Sequence, residues 1–227
     1  LDLEAAERAQ DVPLPPPPPK PDIEPVEEVV LPSRPVSEVT KDIVDATVIQ
    51  DEEGNFNVSD SFFDAIKQVE SSNDASAINT TSGATGLYQL IPSTAVKPGY
   101  NATSLLDIIA DDPDNTLYTE FKTLLTEAGY DLTKGLSDAE HVDLAKKLSD
   151  KSKRSTKGSI ENKLYKSVQK VLQNSDVNET IGKNYLLAHL RRHEGNMSDA
   201  LKSYGDSDVE GYRRKIAGAL RNLEQEE

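Results

Sequence analysis

The chain has 227 residues, a net charge of −15 and no cysteine. The missing cysteine excludes disulfides and thiolate chemistry. The acidic balance makes nucleic acid a poor candidate partner, because phosphate neutralisation draws on Lys and Arg. No apolar run approaches the roughly 18 residues that a membrane-spanning helix needs.

Ten of the 13 prolines fall between Pro13 and Pro35, and residues 1–60 carry 15 acidic against four basic side chains. A segment of this kind buries too little apolar surface to offset chain entropy, so residues 1–58 are predicted to be a disordered, acidic, Pro-rich tail. Pro15 to Pro19 should form a stiff polyproline II spacer, read as a tether rather than a docking site for a proline-recognising module. Leu1 to Gln10 has the pattern of a short helix and Val44 to Ile49 that of a strand, each able to order on a partner. The N-terminus has no basic-then-apolar export signal. Leu at position 1 points to a processed chain or to a piece of a larger one.

From Ser59 the pattern turns helical. Ser59 or Asp60 can cap a helix in which Phe62, Phe63, Ile66 and Val69 share one face. It should end near Ser72 to Asp74, where small polar side chains compete for the backbone. Glu70 then lies in the last turn, where the negative end of the helix dipole raises the pKa of a carboxylate, as a general acid requires. On position alone a solvated surface Glu is the simpler reading. Asn79 to Gly86 is a turn-rich loop whose two glycines permit positive φ. A phosphate-cradling loop is disfavoured there, since no strand precedes the glycines and no Lys-Ser or Lys-Thr pair follows. Leu87 to Leu90 is expected to be a short helical piece, with Pro92 in the first turn of the next helix.

Further helices are predicted at Leu105 to Ile109, Leu117 to Ala128, Asp138 to Leu148 and Ile160 to Leu172. Three more follow at Asn178 to His193, Ser198 to Tyr204 and Val209 to Leu223. The basic run Lys146 to Lys157 reads first as a solvated loop, with contact to an anionic polymer as the alternative. No Val/Ile-rich run is long enough for a sheet, so the domain is expected to be nearly all helix. His189 and His193 have metal-compatible i, i+4 spacing, but no third ligand is identifiable, so no metal or other cofactor is expected. No Gly-x-Ser-x-Gly elbow supports a serine hydrolase.

The stretch Val69 to Ala95, V-E-S-S-N-D-A-S-A-I-N-T-T-S-G-A-T-G-L-Y-Q-L-I-P-S-T-A, resembles the signature of the soluble lytic transglycosylase domain, a relative of goose-type lysozyme. Glu70, Ser71, Ala77, Gly83, Ala84, Gly86, Leu87, Gln89, Pro92, Thr94 and Ala95 fit that pattern in order. Downstream, Asn178, Gly182, Tyr185 and Leu186 resemble the family's Asn…Gly…Tyr-Leu helix. Ala200, Leu201 and Tyr204 resemble its Ala-Leu-x-x-Tyr-Asn element, and Tyr212 with Ile216 its closing Tyr-Val-x-x-Val. Ala75 stands for a frequent Pro, Tyr88 for the usual Met and Gly205 for the family's Asn. The loop before Gly83 is one residue longer than usual. The longer loop and the Gly-Leu-Tyr-Gln form are similar to members carried by bacteriophages.

The resemblance implies an all-α, lysozyme-like domain over residues 59–227, with residues 104–173 a helical insertion. It implies cleavage of peptidoglycan between N-acetylmuramic acid and N-acetylglucosamine, with Glu70 as acid and base and Tyr204 orienting its carboxyl. Ser71, Gly86, Leu87, Tyr88, Gln89 and Tyr185 are implied as the substrate surface, Tyr88 by stacking on a sugar and Ser71 and Gln89 by hydrogen bonds to substrate or backbone. Most glycosidases use two carboxylates; here Asp74 is better read as a local cap, and the sugar's own hydroxyl supplies the nucleophile. Expected partners are glycan strands and, through residues 1–58 or 104–173, other virion proteins. The expected setting is a phage virion acting in the host periplasm, the alternatives being a bacterial periplasmic enzyme or a non-catalytic virion protein that grips glycan.

Overall fold

The structure, a computed structural model, describes residues 35–204 and 208–226. The Leu1 to Gln10 helix, the polyproline run and Gly205 lie outside the described residues. A first helix, α1 (Val36–Asp45), leads into an antiparallel hairpin of β1 (Val48–Gln50) and β2 (Phe56–Val58), in which Val48 faces Val58 and Gln50 faces Phe56. Then follow α2 (Asp60–Ser71), α3 (Pro92–Val96), α4 (Leu105–Asp111), α5 (Thr119–Glu127), α6 (Asp138–Ser149), α7 (Lys151–Ser155), α8 (Ile160–Leu172), α9 (Ser175–Arg192), α10 (Met197–Tyr204) and α11 (Val209–Glu226). The described residues form one packed unit with a single contiguous apolar core.

Two sequence expectations need correction at the front of this unit. The tail predicted for residues 1–58 gives way at residue 35: α1 buries Thr40 and Val44 and packs along α11 and α10. Of the strand expected at Val44 to Ile49, Val44 belongs to that helix while Val48 and Ile49 lie in β1, whose pairing with β2 was unforeseen. The reason is that Val39, Thr40, Ile43 and Val44 form an i, i+4 stripe, which a helix can bury despite the acidic residues around it.

The element that positions the site is α2. Ser59 caps it by accepting from the Phe62 amide, and Phe62, Phe63, Ala65 and Ile66 form its buried face, which lies on α11. At the other end Ser72 and Asn73 take positive φ of 55° and 63°, and their amides return to the Gln68 and Lys67 carbonyls. This left-handed exit satisfies carbonyls that a helix end would otherwise orphan. Asp74 accepts from the amide and hydroxyl of Ser76, which hold its carboxyl below the usual range, so it is a local turn former.

After α2 the chain does not form the helical piece expected at Leu87 to Leu90. Residues 77–90 are instead knitted as a double hairpin: Asn79 donates to Ala84, Gly86 to Ala77, and Thr85 and Leu90 exchange bonds of 3.0 Å. Asn178, fully buried on α9, ties this loop down. Its Oδ1 accepts from the Tyr88 amide at 2.8 Å, while Nδ2 donates to the carbonyls of Thr85 and Leu172, both at 2.9 Å. Gly86, at φ +78°, lies so close that a Cβ would come within 2.2 Å of Asn178 and 2.4 Å of the Leu172 carbonyl. Gly182 leaves room in the same way, since a Cβ there would meet the Tyr88 ring at 2.3 Å.

Within the region read as an insertion, α8 forms the outer buttress of the loop. Gln169 donates to the Gly83 carbonyl at 3.1 Å and Gln173 to the Ser76 carbonyl at 3.0 Å. The basic run expected to be a solvated loop contains the short helix α7, capped by Asp150.

One buried ionisable group ties the fold to pH. His189 is 2 % exposed, and the rings of Tyr185 and Tyr100 meet it edge-on at 4.5 and 5.0 Å. Neither ring nitrogen has a partner among the described residues. Burial, reinforced by the nearby charges of His193 and Arg192, depresses its pKa from 6.5 to about 4. The unfolded chain therefore takes up the proton first. Stability is complete above the unfolded value and declines as pH falls through the window from 6.5 to about 4. A depression of this size corresponds to about 3 kcal/mol. Urea midpoints measured at pH 7 and pH 4.5 should fall less in His189→Phe than in the parent, and an unchanged difference would contradict this assignment.

Candidate active site

Glu70, in the last turn of α2, faces a cleft of about 450 Å³ whose lining includes Val69, Ile91 and Thr94, with Tyr88, Gln89 and Leu90 from the knitted loop. The opposite wall is Tyr185 of α9, Tyr204 of α10, and Tyr212 and Lys215 of α11. The helix end thus brings the carboxylate to the meeting point of the loop and three late helices. Val69 packs on the core, and Ile91, on the rim, is 38 % exposed.

The carboxyl partner differs from the sequence expectation. Tyr212, 5 % exposed, donates its hydroxyl to Glu70 Oε1. Tyr204 lines the same cleft, but its hydroxyl donates to the Tyr88 carbonyl at 3.3 Å. Burial, with the Glu70 charge as a second cause, holds the Tyr204 hydroxyl well above its ordinary pKa, so it stays protonated and bound to that carbonyl. Tyr204 therefore braces the loop and contributes its ring to the wall, where the Tyr185 ring meets it tilted by 40° at 5.2 Å.

The other expected substrate residues divide into two groups. Gln89 and Tyr185 line the cleft. Gln89 has φ +46°, an unfavourable value for a side-chain-bearing residue, and its amide donates to the Gly86 carbonyl at 3.0 Å, so it closes the turn as well. Ser71 spends its hydroxyl on the backbone, donating to Lys67 at 3.0 Å and Leu87 at 3.1 Å, which locks the end of α2 to the loop. Gly86 and Leu87 are buried and act through loop geometry.

Tyr88 is only 1 % exposed and cannot offer its ring face to a sugar, contrary to the stacking expected of it. Its hydroxyl points into the interior without a partner among the described residues, and burial raises its pKa. Sequence reasoning missed the carboxyl-holding role of Tyr212 and the place of Lys215 in the lining. Tyr212 lies on the buried α11 stripe with Ile216, Ala217 and Leu220 and so reads as core; only its hydroxyl reaches the cleft.

Removing that hydroxyl isolates its contribution. A hydrogen bond to a charged group is worth about 1.5–3 kcal/mol. Tyr212→Phe should then lower the initial rate of murein clearing about ten- to a hundredfold while the thermal midpoint moves little. Unchanged clearing would remove Tyr212 from the site.

With this geometry in view, the comparisons with known proteins give one match: residues 47–118, about a third of the chain, fit the family model of the Transglycosylase SLT domain. No curated protein and no solved structure matches the chain. The matched segment begins at the hairpin and contains α2, Glu70, the knitted loop and α3, whereas Asn178, Tyr204 and Tyr212 lie beyond it. The resemblance read from the signature thus holds over this segment, and the mostly helical architecture agrees with an all-α, lysozyme-like domain. A domain of this type indicates lytic transglycosylase activity on peptidoglycan.

Proposed function

We propose that the protein cleaves the β-1,4 bond between N-acetylmuramic acid and N-acetylglucosamine and leaves a 1,6-anhydro end, with Glu70 as the acid and then the base. The observation that carries this reading is Glu70, the one carboxylate among the described residues that line a cleft walled by tyrosines, with Tyr212 donating to its Oε1. Protonated Glu70 donates to the glycosidic oxygen, the C1–O bond breaks, and positive charge develops at the anomeric carbon. The neighbouring N-acetyl oxygen stabilises that charge. The C6 hydroxyl oxygen then bonds to C1 and passes its proton to Glu70, which is restored without consuming water.

The exposed, turn-forming Asp74 supports this single-carboxylate route, because among the described residues Glu70 is then the one acid on the cleft lining. Tyr212 donates to Oε1 and so orients the carboxyl in the cleft. In a murein digest, chain ends lighter by one water support transglycosylation, and ordinary reducing ends would identify a lysozyme instead.

The same reading assigns the protein to a phage particle, for local opening of the wall during genome delivery in the host periplasm. Its support is the lengthened loop before Gly83 and the Gly-Leu-Tyr-Gln form, both similar to phage-borne members. Peptides of this chain in purified particles are the expected result; their presence only in a bacterial periplasmic fraction would overturn the assignment.

A further inference from the structure

A second hollow, of about 400 Å³, is lined by residues 78–81 and 83 of the loop and by α7 and α8, and Asn79 lines both it and the catalytic cleft. Its floor is Tyr165 of α8 and its rim carries Lys151, Arg154 and Lys166. None of these three cations forms an ion pair among the described residues, although other lysines of the same region do, such as Lys147 with Asp143 and Lys170 with Glu120. The Arg154 guanidinium lies 4.7 Å over the Tyr165 ring, and the Arg154 carbonyl is tied to Asn162.

The charge distribution makes this a selective feature. Residues 146–157 hold six basic side chains against one acidic, in a chain whose net charge is −15. All three cations lie outside the segment that matches the transglycosylase family. A flat, ring-supported guanidinium flanked by two lysines suits carboxylates, which it can hold through paired N–H donors.

We propose that this hollow binds the carboxylates of the peptide branches carried by the glycan strand, so that the enzyme prefers peptide-bearing over stripped strands. The inference rests on the proposed function, because the shared Asn79 makes the hollow a continuation of the cleft. Asn79, common to both linings, is where a branch of a glycan seated at Glu70 would pass toward α7 and α8.

The test uses the full chain carrying Glu70→Gln, so that strands are bound and not cut. Soluble murein strands with their peptides are compared with strands from which an amidase has removed them. Peptide-bearing strands should bind about tenfold tighter at low salt, and the advantage should shrink as salt is added. Lys151→Glu with Lys166→Glu, both exposed positions, should erase the advantage and leave affinity for stripped strands unchanged. Should the double variant also lose stripped strands, Arg154→Gln, which removes one charge only, decides the matter by the same comparison.

Equal binding of both strand types overturns the inference alone. Binding of neither, together with no clearing of murein by the parent, overturns the inference and the proposed function together. Charge reversal that releases a short DNA duplex but keeps the peptide advantage would identify a polyphosphate site and overturn the inference.

Discussion

Glu70→Gln is expected to reduce murein clearing by about a hundred- to ten-thousandfold with the fold intact. The side chain keeps its length, and its carbonyl oxygen can still accept from Tyr212, so the geometry around α2 is preserved. What disappears is the exchangeable proton on which both bond breaking and ring closure depend. A positioned acid–base group contributes about 10²–10⁴ in rate. Because Glu70 is partly exposed and terminates a helix, neutralising it should leave the thermal midpoint within a few degrees. Clearing within tenfold of the parent, measured on folded protein, would contradict the role given to Glu70.

The largest effect on stability is expected at Asn178, which is not among the residues lining the cleft. Asn178→Leu keeps the volume and removes three hydrogen bonds in the interior. The Tyr88 amide and the Leu172 carbonyl lose a buried partner, whereas the Thr85 carbonyl keeps its bond from Leu90. Each buried polar group left unpaired costs about 1–3 kcal/mol, so a loss of about 3–5 kcal/mol is expected. That is a large share of the roughly 5–15 kcal/mol typical of a domain. The loop should loosen before the whole chain unfolds, and clearing activity should fall at temperatures where helix content is retained. A urea midpoint unchanged from the parent would refute the pin.

Asn178 also shows why part of the site was readable in the sequence. A buried Asn paired with Gly86, and Gly182 placed beneath the Tyr88 ring, leave narrow sequence options, and these were the positions that carried the resemblance. Helix positions were legible for the same local reasons. The stripe from Ile160 to Leu172 predicted α8 to the residue, and the small polar residues after Glu70 predicted the end of α2. Averaging hid α1: its four-residue stripe is embedded in an acidic, Pro-rich neighbourhood that dominates any composition window, and its stability comes from α11, far away in sequence.

The tyrosines were the least legible part. Tyr88, Tyr204 and Tyr212 have the same chemistry, and only packing decides that one is interior, one braces a carbonyl and one holds the carboxylate. Spacing along a helix tells which face a residue occupies but not how far a phenol reaches past the core. The eight-residue difference between the expected and the observed partner of Glu70 follows from that.

The central claim is that one carboxylate, with no activated water, cuts the glycan and closes the sugar on itself. Digesting murein in water enriched in heavy oxygen tests this at the reacting atom. The account predicts new muramic ends that carry no label and are lighter by one water. One heavy oxygen on each new end would mean hydrolysis and would contradict it.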